Sequence, residues 1–133
     1  MEAARIMVVD DEEIVLESCQ AVLEEAGFEV VLLPSAYKAL KAMNNEDFSL
    51  LLIDVKMPQH DGMYLMQEVK KRWPETPVIV MSGYYTADTI SEALRMGAAT
   101  FIAKPFEPEE LIATIRQVIE KEERHGKKEG PGY

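Results

Sequence analysis

Apolar runs alternate along the chain with segments in which apolar residues recur every three or four positions. The runs predict strands, and the recurring positions predict a helix after each strand. The five predicted strands cover residues 6–9, 28–33, 48–54, 77–81 and 100–103. The five predicted helices cover residues 13–26, 36–43, 62–72, 87–96 and 108–123.

The first, third and fourth predicted strands are nearly uninterrupted aliphatic runs. Such runs are typical of parallel strands that helices cover on both faces. The pattern therefore predicts a doubly wound α/β domain around a five-stranded parallel sheet. In the first helix we expect the buried stripe to comprise Val15, Cys19, Val22 and Ala26. Ser35 is the predicted N-cap of the second helix.

Polar residues stand where the predicted strands end. Asp54 ends the third strand, Asp10 and Asp11 follow the first, Ser82 follows the fourth and Lys104 follows the fifth. The carboxyl ends of parallel strands meet at one edge of the sheet, which is where doubly wound domains bind ligands. We therefore expect three carboxylates, a hydroxyl and an amine to converge. The alternative is structural, with the aspartates capping a helix or filling turns and Lys104 lying at the surface.

Composition narrows the classes of function. The chain has 133 residues and a formal net charge of −10, which argues against direct binding to a nucleic-acid backbone. It has neither an apolar run of membrane-spanning length nor a signal-peptide pattern at its start, so we expect a cytoplasmic protein without membrane contact. Cys19 is the only cysteine, and its place in an apolar helical pattern favours a small buried hydrophobe.

Four motifs together carry a resemblance to a known family. They are VVDDEE at 8–13, LLLIDVKMPQHDG at 50–62, VIVMSG at 78–83 and TFIAKPF at 100–106. With these motifs the chain resembles the receiver domain of two-component response regulators, the family of the chemotaxis regulator, over residues 5–123. The resemblance implies a flavodoxin-like (βα)5 fold with strand order 2-1-3-4-5. We expect a receiver domain at 1–123 and a flexible tail or linker at 124–133.

The resemblance also implies a reaction. Asp54 would accept a phosphoryl group from a sensor histidine kinase or a phosphotransfer protein, while Lys104 and Ser82 contact its oxygens. Mg²⁺, with Mn²⁺ as an alternative, would be bound directly by Asp11, Asp54 and the backbone carbonyl of Lys56, and through water by Asp10. The domain would catalyse only its own phosphorylation and dephosphorylation, and so would be a signalling switch and not an enzyme.

A switch needs a readout, and the resemblance places it at Phe101. This aromatic side chain would turn inward after phosphorylation and change the surface formed by the fourth helix, the fifth strand and the fifth helix. That surface would control an unknown output protein or domain, and a phosphorylation-dependent homodimer is a further expectation. The Lys104–Pro105 bond resembles a cis peptide of the family.

Two positions beside the expected site are specific to this chain within the resemblance to receiver domains. Lys56 lies two residues after Asp54, and Tyr84 lies two residues after Ser82. We expect both side chains to flank the path of water to the acyl phosphate and to slow its hydrolysis.

Two other classes of function remain open at this stage. A Mg²⁺-dependent phosphohydrolase with an aspartyl-phosphate intermediate would typically have a second aspartate two residues after the nucleophile, where this chain has Lys56. A flavodoxin-like binder of small ligands would need a phosphate-cradling loop after the first strand, and here that loop is acidic.

Overall fold

The computed structural model describes residues 3–57, 61–83 and 86–128. Five strands alternate with five helices, as the apolar pattern predicts. The strands are β1 (Arg5–Val9), β2 (Glu29–Leu33), β3 (Leu50–Asp54), β4 (Val78–Ser82) and β5 (Thr100–Ala103). The helices are α1 (Glu13–Glu25), α2 (Ala36–Asn45), α3 (Asp61–Arg72), α4 (Ala87–Arg95) and α5 (Pro108–Lys128).

The strands form one parallel sheet in the order β2-β1-β3-β4-β5, which confirms the predicted fold class and strand order. The register aligns the carboxyl ends of the central strands. Val9 pairs with Ile53 and Asp54 pairs with Met81. The residues that directly follow β1, β3, β4 and β5 therefore share one edge of the sheet.

Successive residues of each central strand face opposite sides of the sheet, and each side has its own apolar core. Leu51 and Ile53 pack with side chains of α2, α3 and α4, whereas Leu50 and Leu52 pack with side chains of α1 and α5. All five residues of β3 are buried. Burying one such aliphatic side chain stabilises the fold by roughly 2 kcal/mol, so β3 anchors the edge at which Asp54 lies.

The buried face of α1 differs from the predicted stripe. Leu16, Cys19 and Leu23 are its buried residues, whereas Val15 and Val22 are only partly buried. The apolar face of the helix is wide enough for either set to point inward. The leucines take the central positions because they bury more apolar area than the valines.

The last helix is longer than predicted. The structure continues α5 from 123 to Lys128, into the segment expected to be a flexible tail. Glu, Lys and Arg occupy 120–124, and these residues have favourable helix propensities. The domain boundary after residue 123 stays a prediction. Throughout the described part of the chain, no helix combines the length and the apolar character needed to cross a membrane.

The predicted N-cap Ser35 and the predicted cis peptide bond before Pro105 are both confirmed. The Ser35 hydroxyl accepts the backbone N–H of Lys38 at 3.3 Å and so caps α2. Gly27 follows α1 with φ of 97°, a left-handed conformation that favours glycine. The Lys104–Pro105 peptide bond is cis.

The start of α3 packs tightly against the end of β3. A Cβ added at Gly62 would overlap the backbone carbonyl oxygen of Asp54 and the Cα of Val55. Because these are backbone atoms, no rotation of a side chain relieves the overlap. Gly62 therefore sets how closely α3 approaches the segment that carries Asp54.

We expect Gly62→Ala to lower the free energy of unfolding by about 2 kcal/mol or more, because the backbone at Asp54 must move. Urea denaturation followed by circular dichroism measures the change. Gly83→Ala is the matched control, since a Cβ there meets no heavy atom of the described residues within 4 Å. Equal stabilities of the two variants would contradict this account of Gly62.

Candidate functional site

Four strand ends bring the predicted polar residues together. Asp10 follows β1, Asp54 ends β3, Ser82 ends β4 and Lys104 follows β5. Asp10 and Ser82 are fully buried and Asp54 is 4% exposed. The backbone N–H of Lys104 donates to the carbonyl oxygen of Ser82 at 2.9 Å, which fixes the start of the lysine side chain.

The Lys104 amine connects the carboxylates. Its Nζ donates to Oδ2 of Asp10 and to Oδ2 of Asp54, each at 2.7 Å. It also lies 3.4 Å from Oε1 of Glu12. A buried carboxylate is stable only when it is paired and hydrogen-bonded. Lys104 meets this need for two carboxylates at once.

Backbone donors hold the other oxygens of the two buried carboxylates. Oδ1 of Asp10 accepts the N–H of Glu12 at 2.9 Å. Oδ1 of Asp54 accepts the N–H of Lys56 at 2.8 Å. Among the described residues, every buried side-chain nitrogen or oxygen has a hydrogen-bond partner. The orientation of both carboxylates is therefore determined by the chain itself.

The protonation equilibria reflect this burial. Burial raises the pKa of Asp10 above its ordinary value, although the hydrogen bond from Lys104 acts in the opposite direction. Burial lowers the pKa of Lys104, but its hydrogen bonds to Asp10 and Asp54 and the charges of both carboxylates outweigh that effect, so the pKa is raised. Lys104 is thus a stable cation at neutral pH.

The donor set suits a hard divalent cation. One carboxylate oxygen from each of Asp10, Glu12 and Asp54 lies within 4.8 Å of the other two. Mg²⁺ prefers oxygen ligands and is commonly bound by carboxylates together with water. Asp11 is exposed and lies outside this group. Its role as a direct ligand, like that of the Lys56 carbonyl, stays a prediction.

Sequence reasoning did not select Glu12. The available signal was the acidic run at 10–13, in which the sequence does not show how far each carboxylate extends towards the sheet edge. The structure shows that Glu12, and not Asp11, extends its carboxylate towards Lys104.

The remaining predicted residues lie around this centre or outside the described part of the chain. Phe101 is partly buried and packs against the apolar core on the α2, α3 and α4 side of the sheet. Lys56 is exposed beside Asp54. Tyr84 lies outside the described residues.

Cys19 is fully buried, as predicted, on the sheet-facing side of α1. Burial, assisted by the negative charge of Asp10, raises the pKa of its thiol to about 12. The thiolate is the nucleophilic form of cysteine, so this residue is unreactive at neutral pH.

Replacing the shared cation should destabilise the fold. We expect Lys104→Met to lower the free energy of unfolding by about 2–3 kcal/mol in the absence of divalent cations, because two buried carboxylates lose their partner. Saturating Mg²⁺ should restore part of the loss by binding the native state. Urea denaturation with and without Mg²⁺ measures both effects.

The control for this variant is Lys121→Met, which removes an exposed lysine of α5 and should change stability by less than about 0.5 kcal/mol. If the two variants lose the same stability without divalent cations, the stabilising role of Lys104 is refuted.

Comparison with known proteins places this geometry in a family. Residues 6–116 match the model of the response regulator receiver domain. The response regulator protein FleR of Pseudomonas aeruginosa is 37% identical over 113 residues, which are 85% of this chain and 24% of FleR. The chain thus spans about a quarter of the length of that relative.

Solved structures agree with this match. The CheY-like receiver domain protein of Methanospirillum hungatei is 31% identical, with a TM-score of 0.87 over 93% of this chain and 99% of that chain. The beryllofluoride-activated NtrC4 receiver domain dimer is 35% identical, with a TM-score of 0.83 over 89% of this chain and 98% of that chain. The chain therefore belongs to the receiver domain family of two-component response regulators.

Proposed function

We propose that the domain accepts a phosphoryl group on Asp54 from a phosphohistidine of a sensor kinase or phosphotransfer protein. The observation that supports this most directly is the arrangement of Asp54. Its carboxylate is nearly buried at the sheet edge, is oriented by the N–H of Lys56, and is hydrogen-bonded to Lys104 at 2.7 Å. A packing role alone would not place a charge there.

In the proposed step, a carboxylate oxygen of Asp54 attacks phosphorus as the phosphorus–nitrogen bond to the imidazole breaks. The phosphoryl group moves to the aspartate as an acyl phosphate, and the histidine leaves and takes up a proton. Both reactants carry negative charge, so the transfer needs cationic groups at the transferring oxygens. Lys104 supplies one positive charge, and Ser82 supplies a hydroxyl donor at the same edge.

A divalent cation held by the acidic residues supplies the remaining positive charge. We propose that Asp10, Asp11, Asp54 and the backbone carbonyl of Lys56 hold Mg²⁺ or Mn²⁺, with Asp10 acting through water. When bound, the cation supplies charge neutralisation at the phosphoryl oxygens. The clustered carboxylates at this edge support a cation site. Together with Lys104, the cation balances the formal charge of the three aspartates.

We further propose that phosphorylation is read out through Phe101 at the surface of α4, β5 and α5. Phe101 lies on β5, whose residue Ala103 pairs with Ser82, so a movement of Ser82 has a short path to that surface. The NtrC4 receiver named above is a dimer in its beryllofluoride-activated form. A phosphorylation-dependent homodimer of this chain is proposed by analogy. The output partner is not identified, and the cytoplasmic location stays a prediction.

Acetyl phosphate provides a direct test. Incubation with acetyl phosphate and Mg²⁺ should add the mass of one phosphoryl group to the intact protein, because small acyl phosphates present the same electrophile as phosphohistidine. Asp54→Asn should abolish the addition, and removal of divalent cations should reduce it strongly. Asp47→Asn, at an exposed site, is the matched control and should be phosphorylated normally.

The same experiment separates the alternatives. Phosphorylation that persists in Asp54→Asn would refute the proposed acceptor. Steady turnover of an external phosphoester would favour a phosphohydrolase over a switch that catalyses only its own phosphorylation and dephosphorylation.

The lifetime of the acyl phosphate tests the roles of Lys56 and Tyr84. If their side chains obstruct water, Lys56→Asn and Tyr84→Ala should each speed dephosphorylation by about fivefold, roughly 1 kcal/mol in activation free energy. Loss of the added mass over time, after removal of acetyl phosphate, gives the rate. Lys38→Asn, on the exposed face of α2, serves as the control. Unchanged rates in both variants would end this hypothesis.

A further inference from the structure

Glu12 stands at the N-cap of α1 but does not act as a cap. Its backbone is extended, with φ of −93° and ψ of 113°, and its side chain makes no capping hydrogen bond to the first turn. A capping role would direct its carboxylate to backbone N–H groups of that turn. The side chain therefore serves no evident purpose in starting the helix.

The carboxylate of Glu12 extends over the acidic centre instead. Its Oε1 lies 3.4 Å from the Lys104 amine, and it belongs with Asp10 and Asp54 to the group of three carboxylates within 4.8 Å. Its side chain is 59% exposed, whereas that of Asp10 is fully buried. Glu12 is thus the one member of this group at the solvent side of the centre.

The resting contacts leave Glu12 free to move. A separation of 3.4 Å is beyond the usual length of a hydrogen bond, and an exposed ion pair contributes little. Asp10 and Asp54, by contrast, are each held by a backbone N–H and by Lys104. Of these three carboxylates, a cation entering from solvent would meet that of Glu12 first.

The charge of Glu12 would help a cation to bind beside Lys104. Lys104 already neutralises part of the charge of Asp10 and Asp54, and its own charge repels a second cation beside it. A further carboxylate at the mouth of the centre offsets that repulsion. Asp11 is exposed and is not a member of this group of three.

We propose that Glu12 is a further carboxylate of the divalent-cation site and binds Mg²⁺ or Mn²⁺, directly or through one water, beside Asp10 and Asp54. This role rests on the cation site of the proposed function and adds to it a residue outside the four predicted ligands. On binding, Glu12 exchanges its long contact with Lys104 for the cation.

Cation affinity tests this role without phosphorylation. Mg²⁺ binding by isothermal titration calorimetry, checked by Mn²⁺ binding in electron paramagnetic resonance, should be about tenfold weaker in Glu12→Gln than in the unmodified chain. Glu13→Gln is the matched control, because it removes the same charge from the next exposed residue, outside the acidic group. It should weaken binding by less than about twofold, since its charge is screened by solvent. Both variants should unfold thermally like the unmodified chain.

Each outcome decides the proposal. A tenfold loss confined to Glu12→Gln supports it. Equal losses in Glu12→Gln and Glu13→Gln overturn it, and so does a loss in Asp11→Asn with none in Glu12→Gln, although the cation site itself would then stand. If the unmodified chain binds neither cation, the proposed cation site fails together with the role of Glu12.

Discussion

The hydrogen bonds of Lys104 to two buried carboxylates are the interaction on which the functional edge depends. Without that amine, Asp10 and Asp54 would bring like charges together at the ends of adjacent strands and away from water. The partners are 94 and 50 residues from Lys104 along the chain, so only the complete sheet assembles them. The apolar cores on both faces of the sheet therefore stabilise an arrangement that would be costly in isolation.

The same interaction limits what the resting site can do. Lys104 contacts the carboxylate that would receive the phosphoryl group. In the proposed reaction, its amine would turn from Asp54 to a phosphoryl oxygen. An ammonium on a flexible stem suits such a change better than the planar fork of arginine. The backbone N–H of Lys104 donates to the carbonyl oxygen of Ser82, so this contact of the strand end does not depend on the position of the lysine side chain.

Much of this edge follows from the sequence, for a specific physical reason. Aliphatic runs mark buried strands, and parallel register then places Asp10, Asp54 and Lys104 at the same edge. That reasoning depends on element type and order, which the apolar pattern fixes well. The apolar pattern does not give the direction of individual side chains. The burial of Leu16 on α1 and the extension of the Glu12 carboxylate towards Lys104 were therefore not predicted.

The carboxylates of the acidic loop after β1 differ in burial, and this difference bears on the chemistry of the site. Its four side chains all carry a carboxylate, but the fold places them differently: Asp10 is buried and accepts two hydrogen bonds, whereas Glu12 is exposed. A buried carboxylate provides a fixed ligand, whereas an exposed one provides charge that can follow a cation in and out. Under the proposed function, the site exchanges both its cation and its phosphoryl group and would use both kinds of carboxylate. In the proposed reaction, the loop that starts α1 would therefore contribute through differences in burial that composition does not encode.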